Sequence, residues 1–285
     1  MIRWLALSLT CLVLAGPALA ADLQGTLKKI KDRNTIALGY REASRPFSFT
    51  GDDGKPAGYS VDLCTRVAQG IGAALGLPAL QTKWVKVTVE SRMRSVVDGT
   101  IDLECGSTTA SLSRQEQVDF SLLTFIDGGS LLVADASQIR GVSTLGGKRV
   151  AIIPGTTTET GLTAALKKHG VTATMVPVKD HDAGVAALDQ GQADAYASDR
   201  VILIGIGRTS KNPEKLSLVD EFFSYEPYGL MLRRNDAAFR LAVNRALAGL
   251  YRSGEVGPIF EKWFGSMSTA GPLIGAMYLM NGLPE

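Results

Sequence analysis

The chain is poor in the side chains that most metal and covalent chemistry requires. Its 285 residues include only two histidines, His169 and His181, and three cysteines. Two histidines are too few for a His-rich metal site, and neither His-Glu-x-x-His nor Gly-x-Ser-x-Gly occurs. The common zinc and serine hydrolases are thereby excluded, and the residues call for no cofactor. A phosphate-binding loop is excluded too: Gly141 to Lys148 is one residue too long, with Arg149 where Ser or Thr belongs. An excess of one charge is also lacking. Lys and Arg number 30 against 28 Asp and Glu, a formal +2, which argues against a nucleic-acid surface. Long apolar runs are confined to the start. Leu5 to Gly16 is shorter than the roughly 20 residues of a membrane span and stops at Pro17. With Arg3 before it and Ala18-Leu19-Ala20 after it, this run reads as a secretory leader covering residues 1–20, cleaved between Ala20 and Ala21. Cys11 leaves with it, and Ser8-Leu9-Thr10 is a poor lipoprotein signal. An exported, periplasmic protein is expected.

What remains alternates strands and helices. Thr35 to Tyr40 reads as a buried strand ending at Arg41, and Gly51-Asp-Asp-Gly54 as a hairpin tip. Val61, Cys64, Val67, Ile71 and Leu75 form a helical stripe closed by Gly76 and Pro78. Leu80 to Val87 and Ile101 to Glu104 read as strands, with a short helix from Glu90 to Val97 between them. A second unit of the same type follows: strands at 148–153, 171–176 and 193–197, and helices at 156–168 and 182–190. The helix after Asp199 is expected to be loosened by Gly205 and Gly207. Helices over 236–253 and 255–264 precede an apolar tail rich in Gly and Pro, expected to lie against one unit. The pattern predicts an α/β fold in which each unit is a mostly parallel sheet flanked by helices. After the leader, residues 21–125 with 231–285 would form one lobe and 126–230 the other, joined near 122–132 and 222–232. Cys64 and Cys105 remain after cleavage. An oxidising compartment permits a bridge between them, and two buried free thiols are equally ordinary.

Two stretches carry binding chemistry. Cys105-Gly-Ser-Thr-Thr-Ala-Ser-Leu-Ser-Arg114 leaves a strand as a run of small hydroxylated residues and ends in a guanidinium. Ser107 and Thr109 hydroxyls with the donor fork of Arg114 suit a carboxylate. Gly155-Thr-Thr-Thr-Glu159 has capping-box spacing, with Thr156 as N-cap, and opens a helix whose free N–H groups favour an anion. The plain alternative is a cap without a ligand. Arg41 and Asp199 stand at strand ends, Arg92 early in the short helix and His181 in a loop, where surface roles are the ordinary ones. Asp199 would receive an ammonium. Arg41, Arg92 and Arg114 against Asp199 give a proposed pocket of net +2, a match for a ligand with two carboxylates and one ammonium.

Gly39-Tyr-Arg-Glu42, Pro46-Phe-Ser48, Gly58-Tyr-Ser60, Glu104 to Thr109, Ser113-Arg-Gln115, Asp119-Phe-Ser121, Gly155 to Glu159, Lys179-Asp-His181 and Tyr228 to Arg233 occur in this order. Together they resemble the periplasmic solute-binding proteins (family 3) of polar amino-acid ABC transporters, in the glutamate/aspartate-binding branch. The resemblance implies a two-lobed periplasmic-binding-protein fold of type II with two hinge strands. It implies lobe closure over L-glutamate or L-aspartate, delivery to an inner-membrane permease, and a monomer without enzymatic activity. It assigns Ser107, Thr109 and Arg114 to the ligand α-carboxylate, Asp199 to its ammonium, and Arg41 and Arg92 to its side-chain carboxylate. Thr156 and His181 complete the set. Val89 stands where close relatives carry serine, and Leu230 where some carry a cysteine, so Cys105 has no such partner there. Broader Glu/Gln/Asp/Asn binding and ligand sensing share this chemistry. An exported cyclohexadienyl-type dehydratase is the alternative of another class, with Glu42, His181 and Asp199 as its available acids and bases.

Overall fold

The computed structural model describes residues 23–265 and 271–285. The expected leader, with Arg3 and Cys11, lies outside the described residues, as does part of the tail, 266–270. Two five-stranded sheets dominate. The first runs Gln81–Lys86, Thr35–Tyr40, Leu103–Glu104, Glu226–Arg233, Val118–Asp127 in spatial order. The second runs Thr174–Pro177, Arg149–Ile152, Ala195–Asp199, Gly129–Ala134, Leu216–Leu218. In each, a single strand opposes the other four: Glu226–Arg233 in the first and Gly129–Ala134 in the second. Both are strands that have just crossed from the other sheet. Val118–Asp127 passes through Gly128 directly into Gly129–Ala134, and the chain returns through residues 219–225 into Glu226–Arg233. A small three-stranded sheet, Ala43–Ser44, Ser48–Thr50 and Pro56–Ala57, flanks the first.

Burial explains the strand choices. Ile36 to Tyr40 are all buried, the continuous apolar run of a strand covered on both faces. The helix Tyr59–Ala74 buries Val61, Cys64, Val67, Ala68 and Ile71 along one stripe and is followed by Gly76 at φ +66°. Its Cys64 is joined to Cys105, with Cα atoms 6.1 Å apart. The bridge pins the helix to the strand exit that carries the hydroxylated run. Closing a loop with a sequence separation of 41 stabilises the fold by about 4 kcal/mol on chain-entropy grounds.

One apolar core runs under the first sheet and continues into the second unit through Tyr196, Ile202 and Leu203. At its centre Phe47 meets Phe125 and Tyr228 edge-on, with ring centroids 4.9 and 5.1 Å away. A second core, including Leu131, Val150, Ile152, Leu162 and Leu166, lies between the second sheet and the helix Thr157–His169. Two local expectations change. Arg200–Gly207 is a regular helix in spite of its glycines. A Cβ on Gly205 would stand 2.9 Å from the Arg45 carbonyl oxygen, so this glycine serves a close approach between segments. The tail forms a helix, Pro272–Asn281, with proline in its first turn. It buries Ile274 and Met277, and Tyr278 meets the Tyr59 hydroxyl at 2.6 Å.

Candidate functional site

The carboxyl ends of the parallel strands from both sheets face one cleft, the usual ligand position in open α/β sheets. Arg41 follows Thr35–Tyr40, and Ser107 and Thr109 follow Leu103–Glu104. Thr156 and Thr157 follow Arg149–Ile152, while Asp199 ends its own strand. The cleft is lined by all eight residues selected from the sequence: Arg41, Arg92, Ser107, Thr109, Arg114, Thr156, His181 and Asp199. Val89, Ile153, Ala197 and Ile202 supply apolar wall, and the empty space, open to solvent, is ≈ 390 Å³.

The three arginines are nearly inaccessible: Arg41 is 5 %, Arg92 4 % and Arg114 9 % exposed. None of them forms an ion pair among the described residues, whereas neighbouring Arg94 is exposed and paired with Asp98 at 3.2 Å. Arg92 opens the helix Arg92–Val97 and donates through Nη1 to Thr108 Oγ1 at 2.7 Å. Thr108 in turn donates to Glu104 Oε2 at 2.7 Å. Arg92 Nε and Glu104 Oε1 are buried without partners. Arg114 sits in the short helix Leu112–Gln115, where Ser111 Oγ accepts its backbone N–H and its Nη1 holds the Thr109 carbonyl at 2.9 Å. Burial, followed by repulsion from Arg92, lowers both Arg41 and Arg114 to about 10. Burial lowers Arg92 as well. All three remain charged at neutral pH, with donors left over.

Gly106 shows how tightly this corner is packed. A Cβ there would stand 2.2 Å from Glu104 Oε1 and 3.2 Å from Arg41 Cγ. Glu104 is fully buried, and it and Glu226 are counter-charges to the arginines that sequence reasoning missed. With Asp199 they set three carboxylates against three guanidinium groups. The net +2 expected from Asp199 alone is therefore corrected: the formal balance is even, and the case for an anionic ligand rests on unpaired guanidinium donors.

Asp199 accepts from Thr158 Oγ1 at 2.6 Å and from the Tyr228 hydroxyl. Burial, then the nearby Glu226 charge, pushes Asp199 up to about 6. Glu226 Oε2 accepts from Thr109 Oγ1 at 2.5 Å and from Thr157 Oγ1 at 2.6 Å. Its Oε1 accepts from Ser224 Oγ at 2.6 Å. The helix Thr157–His169 starts where its spacing predicts. Thr156 caps it, its hydroxyl accepting from Glu159 N at 3.1 Å and donating to Ile153 O at 2.8 Å. The Glu159 carboxylate reaches back to Gly155 N at 2.8 Å, one residue short of a closed capping box. The hydroxyl of Thr156 is thus consumed by the fold, while Thr157 reaches Glu226 and Thr158 reaches Asp199. The triple-threonine run was the available signal, but spacing alone did not say which hydroxyl faces inward.

His181 begins the helix His181–Asp189, and its Nδ1 lies 2.7 Å from the Tyr196 hydroxyl and 3.4 Å from Ser198 Oγ. Burial, then the Arg41 and Arg92 charges, lowers it to about 3, so it is neutral near pH 7. Glu42 is on the surface, paired with Lys86 at 2.6 Å. No group of three or more His, Cys, Asp or Glu side chains able to hold a metal occurs among the described residues.

A family model described as bacterial extracellular solute-binding proteins, family 3, matches residues 36–266. The L-glutamate/L-aspartate-binding protein of Pseudomonas aeruginosa is 41% identical over 263 residues, 91% of this chain and 86% of that protein. The glutamate/aspartate import solute-binding protein of Escherichia coli is 33% identical over 260 residues, again 91% and 86%. Among solved structures, an ancestral amino acid-binding protein, described as a precursor of cyclohexadienyl dehydratase, matches with a TM-score of 0.74 at 25% identity. That match covers 84% of this chain and 100% of the other.

Proposed function

The chain belongs to family 3 of the bacterial extracellular solute-binding proteins and has their type II periplasmic-binding-protein fold, and from that premise we propose that it captures L-glutamate or L-aspartate for an ABC importer. The observation that carries this reading is the set of three buried guanidinium groups without an ion pair, facing a carboxylate across one cleft. A neutral amino acid would leave one guanidinium desolvated and without an anion, and breaking such a buried pair costs about 3–5 kcal/mol. An acidic amino acid supplies two carboxylates for the arginines and an ammonium for Asp199. The names of the two relatives above support the same ligand class.

In this reading Arg114 holds the α-carboxylate and Arg41 with Arg92 the side-chain carboxylate. Residues 21–125 with 231–285 form one lobe and 126–230 the other. They close about the crossings at Gly128 and residues 219–225. The leader directs the chain to the periplasm, and the Cys64–Cys105 bridge suits that oxidising compartment. The closed, loaded form is handed to a permease as a monomer.

A thermal-shift panel of the twenty amino acids on ligand-stripped protein tests the reading. At a hundredfold excess over Kd the bound ligand adds about 2.7 kcal/mol, or a rise of roughly 5–10 °C in Tm. Glutamate and aspartate are expected to give that rise. A panel in which neither moves Tm sinks the proposal.

A further inference from the structure

Glu226 lies outside the cleft lining, yet three hydroxyl groups converge on it. It is fully buried on the returning strand Glu226–Arg233, and its bonds reach Thr109 beside the first sheet, Thr157 beside the second, and Ser224 between them. A carboxylate is an acceptor only, so every one of these hydroxyls must donate its single proton to it. Thr157 Oγ1 has a choice, 2.6 Å to Glu226 or 3.1 Å to Thr109 Oγ1. The charge-assisted bond is the shorter and the stronger. Thr109 and Thr157 therefore turn lone pairs toward the cleft. Thr158 is set the same way, its proton spent on Asp199.

We propose that Glu226 is the positioning residue that makes this end of the cleft specific for an ammonium group, by fixing the hydroxyls of Thr109 and Thr157 as acceptors and adding a second buried negative charge behind Asp199. The inference rests on the amino-acid-binding reading and deepens it. The two acidic groups are near enough for the Glu226 charge, after burial, to raise Asp199.

The test compares L-glutamate with glutarate, which has both carboxylates and no ammonium, by calorimetry or competition on the full mature protein. In Glu226→Gln the affinity for L-glutamate is expected to fall at least about tenfold while that for glutarate changes by less than about threefold, so the ratio collapses. Thr157→Val keeps Glu226 and removes one oriented hydroxyl. It is expected to lower the same ratio by about three- to tenfold, and it carries the test if Glu226→Gln does not fold. Equal weakening of both ligands in these variants would mean a structural role only and overturn the proposal, as would an unchanged ratio. If the wild type binds neither compound, the binding reading itself falls and takes this one with it.

Discussion

The two ends of the cleft are built from the same parts and present opposite chemistry. At one end Glu104, buried under Gly106, accepts from Thr108, and Thr108 accepts from Arg92. Protons there run from the cleft into the protein, and the guanidinium groups of Arg41 and Arg92 keep donors for a ligand. At the other end Glu226 accepts from Thr109 and Thr157, with no guanidinium interposed. The hydroxyls there are left with lone pairs, beside Asp199. A buried glutamate with a threonine on it is therefore not in itself an anion site or a cation site. What stands on the far side of the threonine decides which end donates and which accepts. The neutral His181 beside Arg41 and Arg92 adds no charge to the donor end, and Arg114, tied to the Thr109 carbonyl, stands between the two.

Arg114→Ala is expected to do the most damage, because the α-carboxylate is common to every amino acid. A loss of about 3–5 kcal/mol, beyond a hundredfold in Kd, should appear for glutamate, aspartate and glutamine alike in calorimetry. A variant that loses only acidic ligands would move Arg114 to the side-chain end. Arg92→Ala addresses the donor end alone. It should weaken glutamate by about 1.5–3 kcal/mol, the worth of hydrogen bonds to a charged group, while glutamine changes much less. If glutamate and glutamine lose equally, Arg92 is not the discriminating residue and the contrast between the ends is wrong on that side.

Much of this arrangement was legible in the sequence, and the limits have physical causes. The strand-exit arginines, the hydroxylated run after Glu104 and the second anion motif at Gly155 are local signals, and the structure brings all of them to one cleft. The disulfide was left open because a pairing depends on a Cα separation, which folding fixes at 6.1 Å. Glu104 escaped notice because it reads as the polar end of a short strand, although it is fully buried. Glu226 is further still from Thr109 and Thr157 in sequence and joins them only because the returning strand is inserted between Leu103–Glu104 and Val118–Asp127. Thr156, Thr157 and Thr158 all line the cleft, and spacing does not tell their hydroxyls apart for a local reason. A capping hydroxyl turns onto its own helix, and the next two positions are free to face elsewhere.

The smallest expected effect separates the ends by pH. Asp199 is pushed up to about 6 by burial and by Glu226, with Arg114 and hydrogen bonds from Thr158 and Tyr228 opposing. Asp127, half-buried and accepting from Gly128 N and Val201 N, is raised well above its ordinary value by desolvation and then by the Asp199 charge. Burial lowers Arg92, against the Glu104 and Asp199 charges, and raises Tyr228, which keeps its proton throughout. An ammonium ligand favours the ionised form of Asp199, so binding expels a proton when the free protein carries one. Affinity for glutamate should therefore be full above about pH 6 and fall as pH drops below it, approaching tenfold, or about 1.4 kcal/mol, per unit. Binding near pH 5.5 should release a proton, read from the dependence of the calorimetric heat on the buffer. Glutarate makes no demand on Asp199 as an anion and should show no such loss between pH 7 and 5.5. Parallel curves for the two ligands would place the titrating group at the arginine end and reverse the assignment.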